Sequence, residues 1–191
     1  MTPSKFVPAA QTMIGMTDNI GPRNVGAVAV TIANDRRVVS YLFEQHVELI
    51  ASLNATLGKN FSTMIELQPL PSYFADISVK KGGNMLGLDR NPRNKLYFAL
   101  AVTLTSSESI KQQPQVLQRL LVAIENIKAF AESVGAGEEF VYLPYAKALQ
   151  DPLGSYGADN VRFMKDVSRR YDPTRFFQRM LPGGFKIDRV D

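Results

Sequence analysis

Three stretches of this sequence alternate side-chain character with a period of two, and two long stretches between and after them repeat at helical spacing. Successive side chains on a strand point to opposite faces, so alternation builds a sheet with two unlike sides. Residues 95–105 are the clearest case. Leu96, Phe98, Leu100, Val102 and Leu104 share one face, and Tyr97, Ala99, Ala101 and Thr103 share the other. Residues 24–33 set Val28, Val30 and Ile32 against Ala27, Ala29 and Thr31. Residues 61–68 set Phe61, Thr63, Ile65 and Leu67 against Met64, Glu66 and Gln68, and Pro69 and Pro71 are expected to end that strand.

The helical stretches follow from stripes and caps. Asp35 is placed to cap a helix over residues 36–57, with Val39, Phe43, His46, Ile50, Leu53 and Leu57 along one side and Gly58 as its stop. Pro114 suits the first turn of a second helix reaching Val134, whose stripe is Leu117, Leu120, Leu121, Ile124, Ile127 and Val134. A long irregular stretch around Gly82, Gly83, Asn84 and Gly87 and a short fourth strand over residues 139–143 complete the first part. Beyond Tyr142 the spacing predicts a helix over residues 159–170 that buries Val161, Met164 and Val167, and a further helical turn carrying Phe176 and Phe177.

Two helices with one apolar stripe each can cover only one side of an antiparallel sheet. The fold class is therefore α+β: an antiparallel sheet, two long helices on one face, and a helical C-terminal tail. The division expected is a sheet-and-helix part, residues 1–141, and a tail, residues 142–191. The side left uncovered carries small and polar residues, which let a flat guest approach the backbone; the alternative is a partly solvated sheet face.

Composition narrows the chemistry. The chain has 191 residues, 45% of them hydrophobic, which suits one domain with at most a small appendage and excludes general disorder. No apolar run reaches membrane-spanning length, so no membrane association is expected. With no cysteine and one histidine, disulfides, thiolate chemistry and His-rich metal sites are excluded, and no metal is expected. The net charge of +4 equals the excess held by residues 160–191, which reads as a solvated face rather than a nucleic-acid surface. The first residues lack a charged segment followed by an apolar core, and a cytoplasmic location is expected.

The last third carries a specific pattern: Tyr142-x-x-Tyr145-Ala146, Gln150-Asp151-Pro152-x-x-Ser155-Tyr156-Gly157-x-x-Asn160, Tyr171-Asp172-Pro173-x-x-Phe176-Phe177-Gln178 and Pro182-Gly183-Gly184-Phe185-Lys186. Together with Leu67-Gln68-Pro69-Leu70-Pro71 and Gly82-Gly83-Asn84-Met85-Leu86-Gly87-Leu88 upstream, it resembles the C-terminal half of fungal FAD-linked oxidoreductases of the vanillyl-alcohol-oxidase type, the berberine-bridge-enzyme-like group. The resemblance implies a substrate-domain half, FAD as cofactor, a small-molecule substrate of specialised metabolism, and a separate flavin-domain chain as a possible partner. It also implies that Tyr142 and Tyr145 neighbour the flavin or the substrate. The family usually has Asn where this chain has Pro144, and Asp where it has Lys147. The resemblance equally admits a pocket protein that has lost redox chemistry, binding a guest or catalysing a cyclisation, and a truncated remnant.

On the uncovered face Glu66 is the candidate catalytic base, and Tyr97 is the alternative base or a substrate contact. Gln68, Ala99 and Ala101 are the candidate substrate floor. His46, within a helical stripe, reads as a core histidine. Lys80-Lys81-Gly82-Gly83-Asn84 lacks the setting of a phosphate-binding loop and reads as a plain flexible loop, which the resemblance implies lies near the substrate entrance.

Overall fold

A computed structural model describes residues 24–148 and 150–190, with the side chains of residues 24 and 26–29 excepted. The calls on Ala27, Val28 and Ala29 as side chains, and on the first residues as a leader, lie outside the described residues. Strands β1 (Asn24–Ala33), β2 (Phe61–Leu70) and β3 (Lys95–Leu104) form an antiparallel sheet in the order β1-β3-β2. Helix α1 (Arg36–Leu57) joins β1 to β2; α2 (Tyr73–Lys80) follows β2; α3 (Ser107–Lys111) and α4 (Gln113–Ser133) follow β3. The tail carries α5 (Ala158–Tyr171) and α6 (Phe176–Arg179). The fold is the expected α+β arrangement.

Both long helices lie on one side of the sheet. Val30, Ile32, Phe98, Leu100, Val102 and Leu104 meet Val38, Leu42, Leu49, Leu120, Ile124 and Ile127 in one core. Such burial of aliphatic surface is the main force holding the layers together, at about 25 cal/mol per Å². Between the helices Tyr41 stacks on Phe130 at 4.4 Å, and the Asn126 amide donates to Gln45 Oε1 at 2.8 Å. Asp35 caps α1 by accepting from the Arg37 amide at 2.8 Å. The Arg37 side-chain hydrogen bond draws the Asp35 carboxyl down to about 2.

The stripes agree with the expected ones in part: Leu53 and Leu57 of α1 and Leu120, Ile124 and Ile127 of α4 are buried as expected, and the remaining expected positions give way to neighbours. In α1 the buried set is Val38, Leu42, Gln45, Leu49, Leu53 and Leu57, while Phe43 is exposed. In α4 it is Val116, Leu120, Ala123, Ile124, Ile127 and Ala131, while Leu117 is exposed. Adjacent residues lie about 100° apart on a helix, so two neighbouring apolar stripes compete, and packing against the sheet selects one. His46 is half-buried and shares a hydrogen bond with Thr63 Oγ1 at 3.0 Å; burial lowers its pKa.

Three other expectations are corrected. β2 runs through Pro69 to Leu70, because an edge strand tolerates the missing donor. The stretch after it is not irregular throughout but holds α2. Residues 139–143 form no strand. Arg93 takes the carbonyls of Gly135 and Gly137 at 2.9 and 2.8 Å, Ser155 Oγ accepts from the Val141 amide at 3.0 Å, and the chain enters a 3-10 turn at Leu143–Tyr145.

In α5 Val161 is buried against Ile187 and Val190 and Met164 is half-buried, but Val167 is exposed, contrary to expectation. Among the described residues no helix is long and apolar enough to cross a membrane.

Candidate functional site

The register decides what shares the second face. Tyr97 lies between Thr31 of β1 and Gln68 of β2, Ala99 between Ala29 and Glu66, and Ala101 opposite Met64. These rows face away from α1 and α4, since Tyr97 and Ala99 form a cluster separate from the aliphatic core. The Gln68 amide donates to Glu66 Oε1 and so orients the carboxylate. Glu66 and Gln68 are half-buried, and Met64 beside them is 51% exposed.

The tail crosses this face. Tyr142 and Leu70 pack on Tyr97 and Ala99. The Tyr97 ring centre lies 5.2 Å from Tyr145 and 6.2 Å from Tyr142, and those two lie 5.2 Å apart. Such spacings are those of attractive aromatic pairs. Tyr97 is 2% exposed, and Ala99 and Ala101 are 4% and 6% exposed. The centre of the face is thus closed rather than open, which corrects the expectation of an uncovered floor. Along β2 Met64 is exposed and Glu66 and Gln68 are half-buried, and the Tyr145 ring is 42% exposed. Burial first, then the charge of Glu66, then Tyr145, push the Tyr97 hydroxyl well above the usual tyrosine range. A phenol held in that state keeps its proton.

The site was read from alternation; the clamps beside it were not. Glu138 is buried and takes Arg93 Nε at 2.5 Å, with Lys95 Nζ at 4.0 Å. Lys95 also donates to the Asn91 carbonyl, and burial lowers its pKa. These bonds fasten the start of β3 to the segment leading to Tyr142. A second clamp joins the two quoted motifs. Arg90 donates to the Ser155 carbonyl at 2.6 Å, and Asn160 donates to the carbonyls of Met85 and Tyr156 at 3.3 and 3.0 Å. Gly87 and Gly157 have φ of 66° and 97°. A Cβ at Gly87 would collide with the Tyr156 carbonyl, and one at Gly157 would lie 2.7 Å from the Arg90 guanidinium. Gly87 and Gly157 are therefore required as glycines by their positive φ and this close approach. Asp172 caps α6 by accepting from the amides of Phe176 and Phe177 at 2.7 and 3.0 Å.

Two further features lie away from the tyrosines. A cleft of about 1230 Å³ runs along the outer edge of β1, between α4 and the segment that follows Gly135. On the tail, Phe163, Val167, Tyr171, Phe176, Phe177 and Met180 are exposed. Among the described residues no group of three or more His, Asp or Glu is arranged to hold a metal.

An FAD molecule needs a surface for its ring and donors for its pyrophosphate. The Tyr142–Tyr145 turn offers the first. For the second, Gly82 and Gly83 follow the C-terminus of α2 instead of leading from a strand into a helix. Among the described residues the fit is to the ring end alone.

No protein-family model matches the chain, and no solved structure matches it. Curated relatives do. An FAD-dependent monooxygenase of Emericella nidulans is 38% identical over 133 residues, which are 70% of this chain and 27% of the relative. One of Aspergillus calidoustus is 30% identical over 164 residues, 85% of this chain and 31% of the relative. One of Fusarium proliferatum is 32% identical over 147 residues, 76% of this chain and 28% of the relative. The chain thus spans less than a third of the length of these relatives. The homologues are FAD-dependent monooxygenases of fungi, and the family they represent is FAD-linked.

Proposed function

We propose that this chain is the substrate-domain half of a fungal FAD-linked oxidoreductase of specialised metabolism, of the berberine-bridge-like type, completed by a flavin-domain polypeptide. The observation that carries the reading is the assembly of Glu66, Gln68, Tyr97, Tyr142 and Tyr145 on the sheet face opposite the helices, next to an open margin. The extent of the FAD-dependent relatives supports it, since each has more than two thirds of its length outside the matched part.

In this reading a small, flat substrate lies along β2 against Met64 and the Tyr145 ring. Glu66, held by Gln68, takes the proton that leaves the substrate. Tyr97 supports the tail's aromatic rings; its raised pKa makes it a poor base. Ala99 acts through its small size, which lets Tyr142 settle close to β3, and Ala101 continues the small-residue row. FAD, when bound, supplies the two-electron acceptor, with Tyr142 and Tyr145 beside its ring and the pyrophosphate held by the partner polypeptide. The exposed aromatic face of α5 and α6 suits contact with that polypeptide, because patches of this kind mark protein interfaces.

The visible spectrum tests the proposal. The purified chain with FAD should show no bound-flavin band. Co-expression with the part of the Emericella nidulans relative that lies outside the match should produce one. Absence of the band in both preparations overturns the reading.

Pro144 favours a second reading. It lies in the turn between Tyr142 and Tyr145, where the resembled family has an Asn that touches flavin, and it offers neither an amide side chain nor a backbone donor. A pocket that keeps the tyrosines and has lost redox chemistry would bind a guest without flavin.

A further inference from the structure

We propose that the outer edge of β1 accepts an extended polypeptide segment as an additional strand, seated in the cleft between α4 and the segment after Gly135. The two edges of the sheet are built differently. β2 carries Glu66 and Pro69, the kind of charge and missing donor that blunt an edge. β1 reads Asn-Val-Gly-Ala-Val-Ala-Val-Thr-Ile-Ala, with no charge and no proline over ten residues. A long, uncharged edge rich in valine is a template for strand pairing, so a protein that uses such an edge keeps it covered.

The edge is already in use at one end. The Ala33 amide donates to the Ala136 carbonyl at 2.9 Å, and Ile32 bridges Gly137 in antiparallel sense. Past that point, among the described residues, β1 pairs on its β3 side alone. The cleft there has Leu117 and Leu121 on one wall, Phe140 and Val141 on the other, and Val30 and Thr31 at its base. Thr31 Oγ1 is buried with no hydrogen-bond partner.

The shape selects the occupant. Pockets for small molecules are about 300–1,000 Å³, and this cleft of about 1230 Å³ is larger and follows a strand. A second copy of the chain presents the same edge recessed between the same two walls, so two copies cannot bring their β1 strands to pairing distance. A single extended segment can enter. Its side chains facing α4 should be apolar. Charge sets only a limit on it: Glu125 is paired with Lys128 at 3.0 Å, Glu138 with Arg93, and Glu139 with Arg90 at 3.7 Å, while Glu132 and Asp151 line the cleft outside the ion pairs of the described residues and disfavour an acidic segment. The polypeptide that makes up the rest of the relatives' length supplies such a segment, and for this source alone the inference rests on the proposed function. Recognition is then by main-chain hydrogen bonds along the edge.

Hydrogen exchange measured on the full chain, alone and co-expressed with the unmatched part of the Emericella nidulans relative, tests this. The β1 amides that point away from β3 should exchange at least tenfold more slowly in the complex. Leu117→Glu, on an exposed wall position, should return them towards the rate of the chain alone. A complex with unchanged β1 exchange overturns strand addition. So does the failure of any complex to form, a dimer of the chain protected along β1, or full protection already present in the monomer. A bound-flavin band with unprotected β1 removes this inference and leaves the proposed function; protected β1 without the band does the reverse.

Discussion

The two faces of one sheet are stabilised in different ways. On the helix side, aliphatic residues from three strands and two helices fill a common interior that consists of little but Val, Leu, Ile and Phe. On the other side, Tyr97 and Ala99 are covered by Leu70 and Tyr142, and Glu66 and Gln68 bond to each other at the margin. The first face depends on two long helices whose broad apolar stripes close it over the whole length of the strands. The second depends on the tail returning over β3, and on the clamps that bring it there. A face of the first kind tolerates no guest, whereas one of the second kind is closed by a few groups that can be altered singly.

The contrast can be broken most severely through Glu66. In the proposed complex with a flavin-domain polypeptide, Glu66→Gln should lower turnover by about 10²–10⁴-fold, the range for loss of a general base. The folded chain should keep its unfolding midpoint. An equal loss of midpoint and turnover would make Glu66 a structural residue.

Leu100→Ala strikes the opposite face from the same strand. Leu100 is almost fully buried, so truncation should cost about 2–5 kcal/mol in denaturant unfolding. A smaller loss would mean that the helix layer can collapse onto the gap.

Gly87→Ala tests the clamp that returns the tail. The positive φ and the collision with the Tyr156 carbonyl should cost about 1–3 kcal/mol. The loss should appear as faster proteolysis and hydrogen exchange across residues 142–190, with β3 protection retained. Uniform loss across the whole chain would show that the two faces unfold together.

The smallest effect is on the alkaline limb of stability. The folded state holds the Tyr97 proton more tightly than the unfolded state, where tyrosine titrates near about 10. Its contribution is therefore complete below that pH. It declines as pH rises through that value towards the folded pKa, because the unfolded chain ionises first. Tyr97→Phe should flatten this decline in a pH series of unfolding midpoints and leave neutral-pH stability within about 1 kcal/mol. An unchanged alkaline slope would show that another group governs it.

Much of the fold was legible because alternation is a local property. The three strands and the two long helices, the two-sided sheet and the cap at Asp35 follow from side chains within a few residues of each other, whereas α2 and the unformed strand at residues 139–143 did not. The helix phase followed only in part. In α1 the sets beginning at Val38 and Val39 are both apolar, and only the sheet beneath distinguishes them. The candidate site was legible to the same extent. Glu66, Gln68, Tyr97, Ala99 and Ala101 were assigned to one face by period, and Tyr142 and Tyr145 by resemblance. The approach of these two groups joins residues far apart in sequence.

The sequence alone determined the three strands, the two long helices and the two-sided character of the sheet, since backbone geometry ties side-chain direction to position along a strand. Tertiary structure decided that the tyrosine pair covers Tyr97, that Gly87 and Gly157 have to be glycines, and that β1 borders a cleft while β2 carries its own blunting residues. Each of those outcomes depends on a distance between residues remote along the chain, and such distances are set by the balance of packing and main-chain pairing over the whole molecule.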